Sequence, residues 1–113
     1  ALDADVSVNI GTDGLSSNMS LNFLDELRAN LLIHADFDPL ELAKILLLAS
    51  TKNAASALNL DAGEIKEGKL ADLALYGGFA DADAAQLPLM LILHAKGCER
   101  LFVGGAEVNL KQI

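Results

Sequence analysis

The first regular pattern in the chain is the alternation of apolar and polar residues over Val6–Ile10, with the sequence V-S-V-N-I. A period of two residues predicts a β-strand. Gly11 and Gly14 bracket the next two residues and stop the strand in a tight turn, and a stretch of small polar residues follows them. A helical pattern begins near Leu21, so the predicted order is strand, glycine-flanked acid, polar loop and helix.

Apolar residues at helical spacing predict three helices in the next part of the chain. The first carries its leucines along one face and ends near His34. The second, Leu40–Ala49, is apolar almost all round and follows Asp38, a predicted cap, so most of its sides should be covered. A short third helix, Lys52–Leu58, is expected to end at Asn59, which tolerates the left-handed conformation of a helix terminus.

Short strands are predicted after the helices. Runs at Glu64–Lys66 and Ala71–Tyr76 flank a turn at Glu67-Gly68-Lys69. Gly77–Gln86 is predicted to be a loop because it is rich in small and polar residues.

The last part of the chain contains one ambiguous run and one clear hairpin. The apolar run within Gln86–Lys96 suits a helix, whereas a buried strand over Leu89–Leu93 is the alternative. The runs Glu99–Val103 and Ala106–Leu110 are separated by a Gly-Gly pair, and such a pair is typical of a β-hairpin because its turn needs positive φ angles.

Composition and charge narrow the class of function. The 113 residues suffice for one domain with a modest core, and a hydrophobic content of 52% argues against disorder. A net charge of −8 disfavours binding to nucleic acid or to an anionic membrane surface. No apolar run reaches the roughly 18 residues of a membrane-spanning helix. Cys98 is the only cysteine, which excludes an internal disulfide and fits a cytoplasmic protein.

The turn after the first strand contains the main candidate for chemistry. Functional side chains of α/β proteins lie at the carboxyl ends of strands, where Asp13 stands. The alternative is that Asp13 only caps the turn. Ser16, Ser17 and Asn18 can face a ligand, or they can cap the helix that is expected to start nearby.

Three other residues of metal-binding or nucleophilic type are not expected to bind a metal or to act as nucleophiles. His34 and His94 stand at predicted helix ends, where a surface role is more common than metal binding. Cys98 lies between Gly97 and a glutamate and is expected to be a half-buried filler.

The run G-T-D-G-L-S-S-N, followed by S-L-N-F-L-D-E-L-R, resembles the last barrel strand and the following helix of amidohydrolase-superfamily deaminases. The likeness is to the branch that deaminates S-adenosylhomocysteine, methylthioadenosine and aminodeoxyfutalosine. A chlorohydrolase or a guanine-type deaminase is the alternative within the superfamily. The resemblance implies that Asp13 binds a catalytic divalent metal, Zn or Fe, and helps to move the proton of the attacking water. Met19 departs from the expected pattern, in which a second Asn stands there.

A second resemblance covers Asp61–Tyr76, D-A-G-E-I-K-E-G-K-L-A-D-L-A-L-Y, and the hairpin R-L-F-V-G-G-A-E-V. In amidohydrolases a run like the first marks the chain leaving the barrel for a small β-sandwich, and the hairpin resembles the closing strands of that sandwich. This likeness implies that Asp72 is structural and ties the backbone of a turn, although in isolation it looks like a metal ligand.

Together the resemblances imply an α/β fold, namely the C-terminal fragment of a (β/α)8 TIM barrel with strands of the adjoining β-sandwich. Residues 1–60 would be the last barrel strand and its following helices, and residues 61–113 the sandwich strands with one intervening helix. The chain begins at Ala1, without Met, a few residues before a barrel strand, and is therefore expected to be an excised piece.

Catalysis by this piece alone is not expected. A Zn or Fe site needs at least three protein ligands, and only Asp13 is a good candidate here. The main hypothesis is therefore an inactive portion of a cytoplasmic deaminase with a small nucleoside-type substrate. The alternative is a non-catalytic module that pairs with itself or with a partner through the apolar helix Leu40–Ala49 and the run Leu87–Leu93, since exposed apolar patches drive association.

Overall fold

The computed structural model describes residues 7–11 and 22–112. The described part contains four α-helices, three short strands and a terminal 3-10 turn. The helices are α1 (Phe23–Ile33), α2 (Pro39–Ser50), α3 (Lys52–Ala57) and α4 (Leu87–His94). The strands are β1 (Leu73–Leu75), β2 (Arg100–Val103) and β3 (Ala106–Val108), and the 3-10 turn is Leu110–Gln112.

Side-chain caps fix the starts of the two long helices. The Oδ1 atom of Asn22 accepts a hydrogen bond from the backbone N–H of Leu24 at 3.2 Å, so α1 begins at Phe23. The Oδ1 atom of Asp38 does the same for Leu40 at 3.3 Å, as predicted. Each cap provides a partner for a backbone donor that the helix itself leaves without one. Ser16, Ser17 and Asn18, the alternative caps suggested by the sequence, lie outside the described residues.

The hydrophobic core lies between α1, α2 and α4, which contact one another. Ile92 of α4 is fully buried, and Leu27 of α1 is 1% exposed. The cluster contains only aliphatic side chains: Leu24, Leu27, Leu31, Leu42, Ala43, Leu46, Ile92 and Ala95. The run that could have been a helix or a strand is thus a helix, and it inserts a side chain from late in the sequence between two early helices.

The α2 helix is less covered than its composition predicts. Leu42, Ala43 and Leu46 are buried, but Leu40 is 38% exposed and Leu48 is 42% exposed. The helix therefore has one face in the core and apolar side chains on its outer face within the described part of the chain.

The three strands form one antiparallel sheet in the order β1-β2-β3. The predicted hairpin is confirmed: Val103 pairs with Ala106, and Gly104 and Gly105 between them have φ angles of 59° and 84°. Positive φ at both central residues of a two-residue loop is the reason that the turn uses two glycines. The carboxylate of Asp72 accepts a hydrogen bond from the backbone N–H of Gly104 at 2.8 Å. The prediction that Asp72 ties the backbone of a turn is therefore confirmed, and the turn is that of the β2–β3 hairpin.

Two predicted strands are not formed among the residues that the structure describes. Ser7 to Ile10 have no strand hydrogen bonds, although burial alternates as the pattern indicates, with Val8 and Ile10 half-buried. A strand needs a neighbouring strand, and no described segment pairs with this one. Glu64–Lys66 is also irregular: Ile65 is 92% exposed, and the carbonyl of Lys66 accepts from Lys69 in a turn instead.

Three further boundaries are now defined. The run Ala71–Tyr76 forms a strand only over its central residues, and the third helix ends one residue earlier than predicted. Asn59 has φ of 58°, the left-handed conformation expected of it. The loop predicted over Gly77–Gln86 contains only turns and irregular backbone.

Candidate functional site

The residues predicted to carry the chemistry lie outside the described part of the chain. Asp13, Ser16, Ser17 and Asn18 all fall within residues 12–21. The structure describes both flanks of this segment. On the upstream side Ile10 packs against the core cluster, and on the downstream side the cap of α1 is the first described residue. Both flanks are therefore attached to the same helical core.

A groove of about 470 Å³ opens beside the upstream flank. One wall is the segment 8–11, and the other walls are α1, α2 and the loop between them. Glu26 and Asn30 of α1 and His34 at its C-cap line the groove with polar groups, at a spacing of four residues. The remaining lining residues are mostly apolar and come from the loop and α2: Phe37, Leu42, Ile45, Leu46 and Ala49.

Contacts within α1 hold the polar wall of the groove. The side-chain amide of Asn30 donates a hydrogen bond to the backbone carbonyl of Glu26 at 2.9 Å. The ring of His34, at the C-cap of α1, meets the ring of Phe37 edge-on, with 6.1 Å between centroids. The groove is thus an apolar slot with one polar rim, next to the segment that leads to Asp13.

Arg28 connects the opposite face of α1 to the end of α4. Its Nε atom donates to the carbonyl of Ile92 at 2.6 Å, and Nη2 donates to the carbonyl of Ala95 at 2.5 Å. Its Nη1 atom pairs with the carboxylate of Asp25 at 2.9 Å. The last carbonyls of a helix have no partner within the helix, so the guanidinium provides one for them and complements the helix dipole. No sequence signal identified this residue, because its partners lie more than 60 positions away.

A second cavity, of about 330 Å³, lies between the residues that follow β1 and the residues at the end of α4. Tyr76 and His94 line it, together with Lys96 and Glu99. Burial raises the pKa of the Tyr76 hydroxyl above 10.0, and the nearby Cys98 thiol acts in the same direction. Cys98 is half-buried, as expected, and its Sγ donates to the carbonyl of Arg100 at 2.9 Å.

The described residues do not form a metal site. Within residues 7–11 and 22–112, no three side chains of His, Cys, Asp or Glu are close enough to hold an ion. His34 and His94 stand at the ends of different helices and are exposed. Nor is any helix of the described part long and apolar enough to span a membrane.

Comparison with known families identifies a match over almost the whole chain. The family model described as "Amidohydrolase family" matches residues 1–108. The resemblance found in the two sequence runs is thus confirmed at the level of the family.

Individual relatives are deaminases. The chain is 51% identical to an adenosine deaminase of Helicobacter pylori over 106 residues, which are 94% of this chain and 26% of that protein. It is 39% identical to an aminodeoxyfutalosine deaminase of a Nitratiruptor species over 101 residues, 87% of this chain and 24% of that protein. The chain therefore spans about a quarter of the length of these relatives.

The same match is found among solved structures. The crystal structure of Helicobacter pylori aminofutalosine deaminase in complex with methylthio-coformycin superimposes with a TM-score of 0.90 and 51% identity. The superposition covers 96% of this chain and 26% of that enzyme. The arrangement of helices and the small antiparallel sheet therefore occurs as one part of a larger enzyme.

Proposed function

Because the chain belongs to the amidohydrolase family, we propose that it is the C-terminal part of a hydrolytic deaminase that acts on an adenosine-type nucleoside. In such a reaction water adds to the purine carbon that carries the amino group. The carbon–nitrogen bond then breaks, ammonia leaves, and a carbonyl remains. The observation that carries the proposal is the superposition with an aminofutalosine deaminase at 51% identity over nearly the whole chain.

The proposed fold of the complete protein is a (β/α)8 barrel with an adjoining β-sandwich. In this proposal residues 1–60 are the last barrel strand and the helices after it, and residues 61–113 are sandwich strands with α4 between them. Two features support it. Val8 and Ile10 show the alternating burial of a strand, and the described part contains no neighbour for that segment to pair with. A strand supplied by the rest of the protein would pair with it.

The proposed contribution of this chain to the chemistry is the carboxylate of Asp13. It would be one ligand of a divalent metal, Zn or Fe, whose other ligands lie on parts of the protein outside this chain. Ser16, Ser17 and Asn18 would contact the substrate from the same loop. Support comes from the sequence motif and from the partly apolar groove that is lined by residues 8–11, the segment that precedes Asp13 in the chain.

The proposal is tested by assaying the full-length protein against adenosine, 5'-deoxyadenosine, methylthioadenosine and aminodeoxyfutalosine. Release of ammonia and the change in purine absorbance report turnover. We expect turnover of at least one of these nucleosides by the full-length protein and none by the 113-residue chain. A purified, metal-loaded full-length protein that deaminates none of them would contradict the proposed reaction.

The lone, half-buried thiol of Cys98 supports a cytoplasmic location.

A second candidate function is self-association without catalysis, and exposed apolar side chains favour it. Leu40 and Leu48 of α2 and Leu87 and Leu93 of α4 are each between 38% and 45% exposed. Such surface drives association when nothing else covers it. We expect the isolated chain to form dimers or larger species in sedimentation velocity. A monomer with cooperative unfolding would instead indicate an autonomous domain.

A further inference from the structure

The last turn of α1 carries the two most exposed large apolar side chains of the described helices. Leu32 is 78% exposed and Ile33 is 74% exposed, and Phe37, in the turn that follows, is 46% exposed. Single exposed apolar side chains are common on protein surfaces, whereas several neighbouring ones mark a surface that binds something. We call these three residues, together with the turn between α1 and α2, the α1–α2 corner.

Hydrogen bonds and a ring contact hold the corner in this shape. The backbone N–H of Phe37 donates to the carbonyl of His34 at 3.1 Å, and the rings of these two residues meet edge-on with 6.1 Å between centroids. The carboxylate of Asp38 caps the helix that follows. A partner therefore meets apolar groups on an ordered backbone, so that binding costs little conformational entropy on this side.

Three acidic side chains lie in the same segment, since Asp36, Asp38 and Glu41 are all exposed. The sequence contains no lysine or arginine between Arg28 and Lys44. None of the three carboxylates forms an ion pair with a basic side chain of residues 22–112. A partner that covers the apolar residues also removes water from the carboxylates beside them, and this costs free energy unless the partner provides positive charges.

The charge of the corner disfavours a symmetric dimer through this surface. A two-fold axis places the same patch of each copy against the other, so three carboxylates would face three carboxylates. The remainder of the same polypeptide is the better occupant. The superposition with the Helicobacter pylori enzyme covers 26% of that protein, so most of such a polypeptide lies outside the matched part and is tethered to it.

We propose that the α1–α2 corner is a docking surface for a segment of the remaining polypeptide, in which apolar side chains are flanked by lysine or arginine. The apolar part of that segment covers Leu32, Ile33 and Phe37, and its positive charges pair with Asp36 and Glu41. This inference rests on the part of the proposed function that makes this chain a portion of a longer protein.

Hydroxyl-radical footprinting of the full-length protein, read by mass spectrometry, tests coverage without any substitution. We expect Leu32, Ile33 and Phe37 to be oxidised at least about tenfold more slowly in the native protein than in the urea-unfolded protein, because a covered side chain reacts only after local opening. Dilution should not change these rates. Oxidation at the rates of the unfolded protein would overturn the inference. Protection that is lost on dilution would overturn it as well, since a second copy would then be the occupant.

Charge reversal in the full-length protein tests the basic flanks. The variant is Asp36→Lys/Glu41→Lys, and the matched control is Glu67→Lys/Asp81→Lys, which makes the same change at two exposed carboxylates elsewhere. We expect the corner variant to melt at least about 4 °C below the wild type, because its new lysines face positive charges. The control should stay within about 2 °C of the wild type.

Equal melting temperatures of the corner variant and the control would overturn the basic flanks. If the corner variant does not fold, Asp36→Lys against Asp81→Lys decides by the same comparison. Neither experiment measures turnover. A full-length protein that deaminates no nucleoside would therefore refute the proposed reaction without moving either readout, which distinguishes the two failures.

Discussion

The substitution Ile92→Ala tests whether α4 is a component of the helical core. Ile92 is the one buried residue of α4 and has no exposed surface, and it packs among leucines of α1 and α2. Removing three methyl or methylene carbons at a fully buried site costs about 2–5 kcal/mol, because both transfer energy and a residual cavity contribute. Native proteins are stable by only about 5–15 kcal/mol in total, so a loss of this size is a large fraction of any such value.

The matched control is Leu93→Ala, one position further along the same helix. Leu93 is 45% exposed, and its truncation should change the free energy of unfolding by less than about 1 kcal/mol. The measurement is urea unfolding followed by circular dichroism at a protein concentration where the wild-type chain is soluble. If the two variants lost equal stability, or if Ile92→Ala lost none, α4 would not be inserted between α1 and α2 as described.

Two further predictions concern the hairpin. Asp72→Ala removes the acceptor for the N–H of Gly104 and should lower stability by about 0.5–1.5 kcal/mol, whereas Asp81→Ala, in an exposed loop, should have no measurable effect in the same unfolding experiment. The hydrogen bond from Arg100 lowers the pKa of Glu107 below its usual 4.5, so this pair stabilises the hairpin above that pH and the contribution is lost as the pH falls through the lowered pKa. An NMR titration of Glu107 should show the lowered midpoint, and Arg100→Met or high salt should return it towards 4.5; an unchanged midpoint would contradict the pairing.

Local signals predicted those parts of the fold that depend on a few neighbouring residues. Asp38 before a proline defines a helix start by itself, and the Gly-Gly pair at 104–105 defines a hairpin, since both act through backbone groups within a few positions. The left-handed residue at Asn59 belongs to the same class. These elements were predicted with nearly correct boundaries.

Features that depend on distant partners could not be predicted in the same way. The alternation over Val6–Ile10 indicates a strand, but a strand forms only where a second strand lies beside it, and the described residues provide none. The contacts of Arg28 join positions more than 60 residues apart and leave no periodic signal. The groove beside residues 8–11 likewise arises from tertiary packing between that segment, α1 and α2, and it leaves no local signal in the sequence.

The central claim is that Asp13 supplies a metal ligand to a deaminase assembled from this chain and the rest of its protein. The most direct test is Asp13→Asn in the full-length protein, with metal content and turnover of the preferred nucleoside measured on the same preparation, and with Asp36→Asn, in the exposed loop after α1, as the control. The account predicts that Asp13→Asn loses turnover by at least about a thousandfold together with bound metal or its affinity, and that Asp36→Asn keeps both. Near-normal turnover and full metal content in Asp13→Asn would contradict the account.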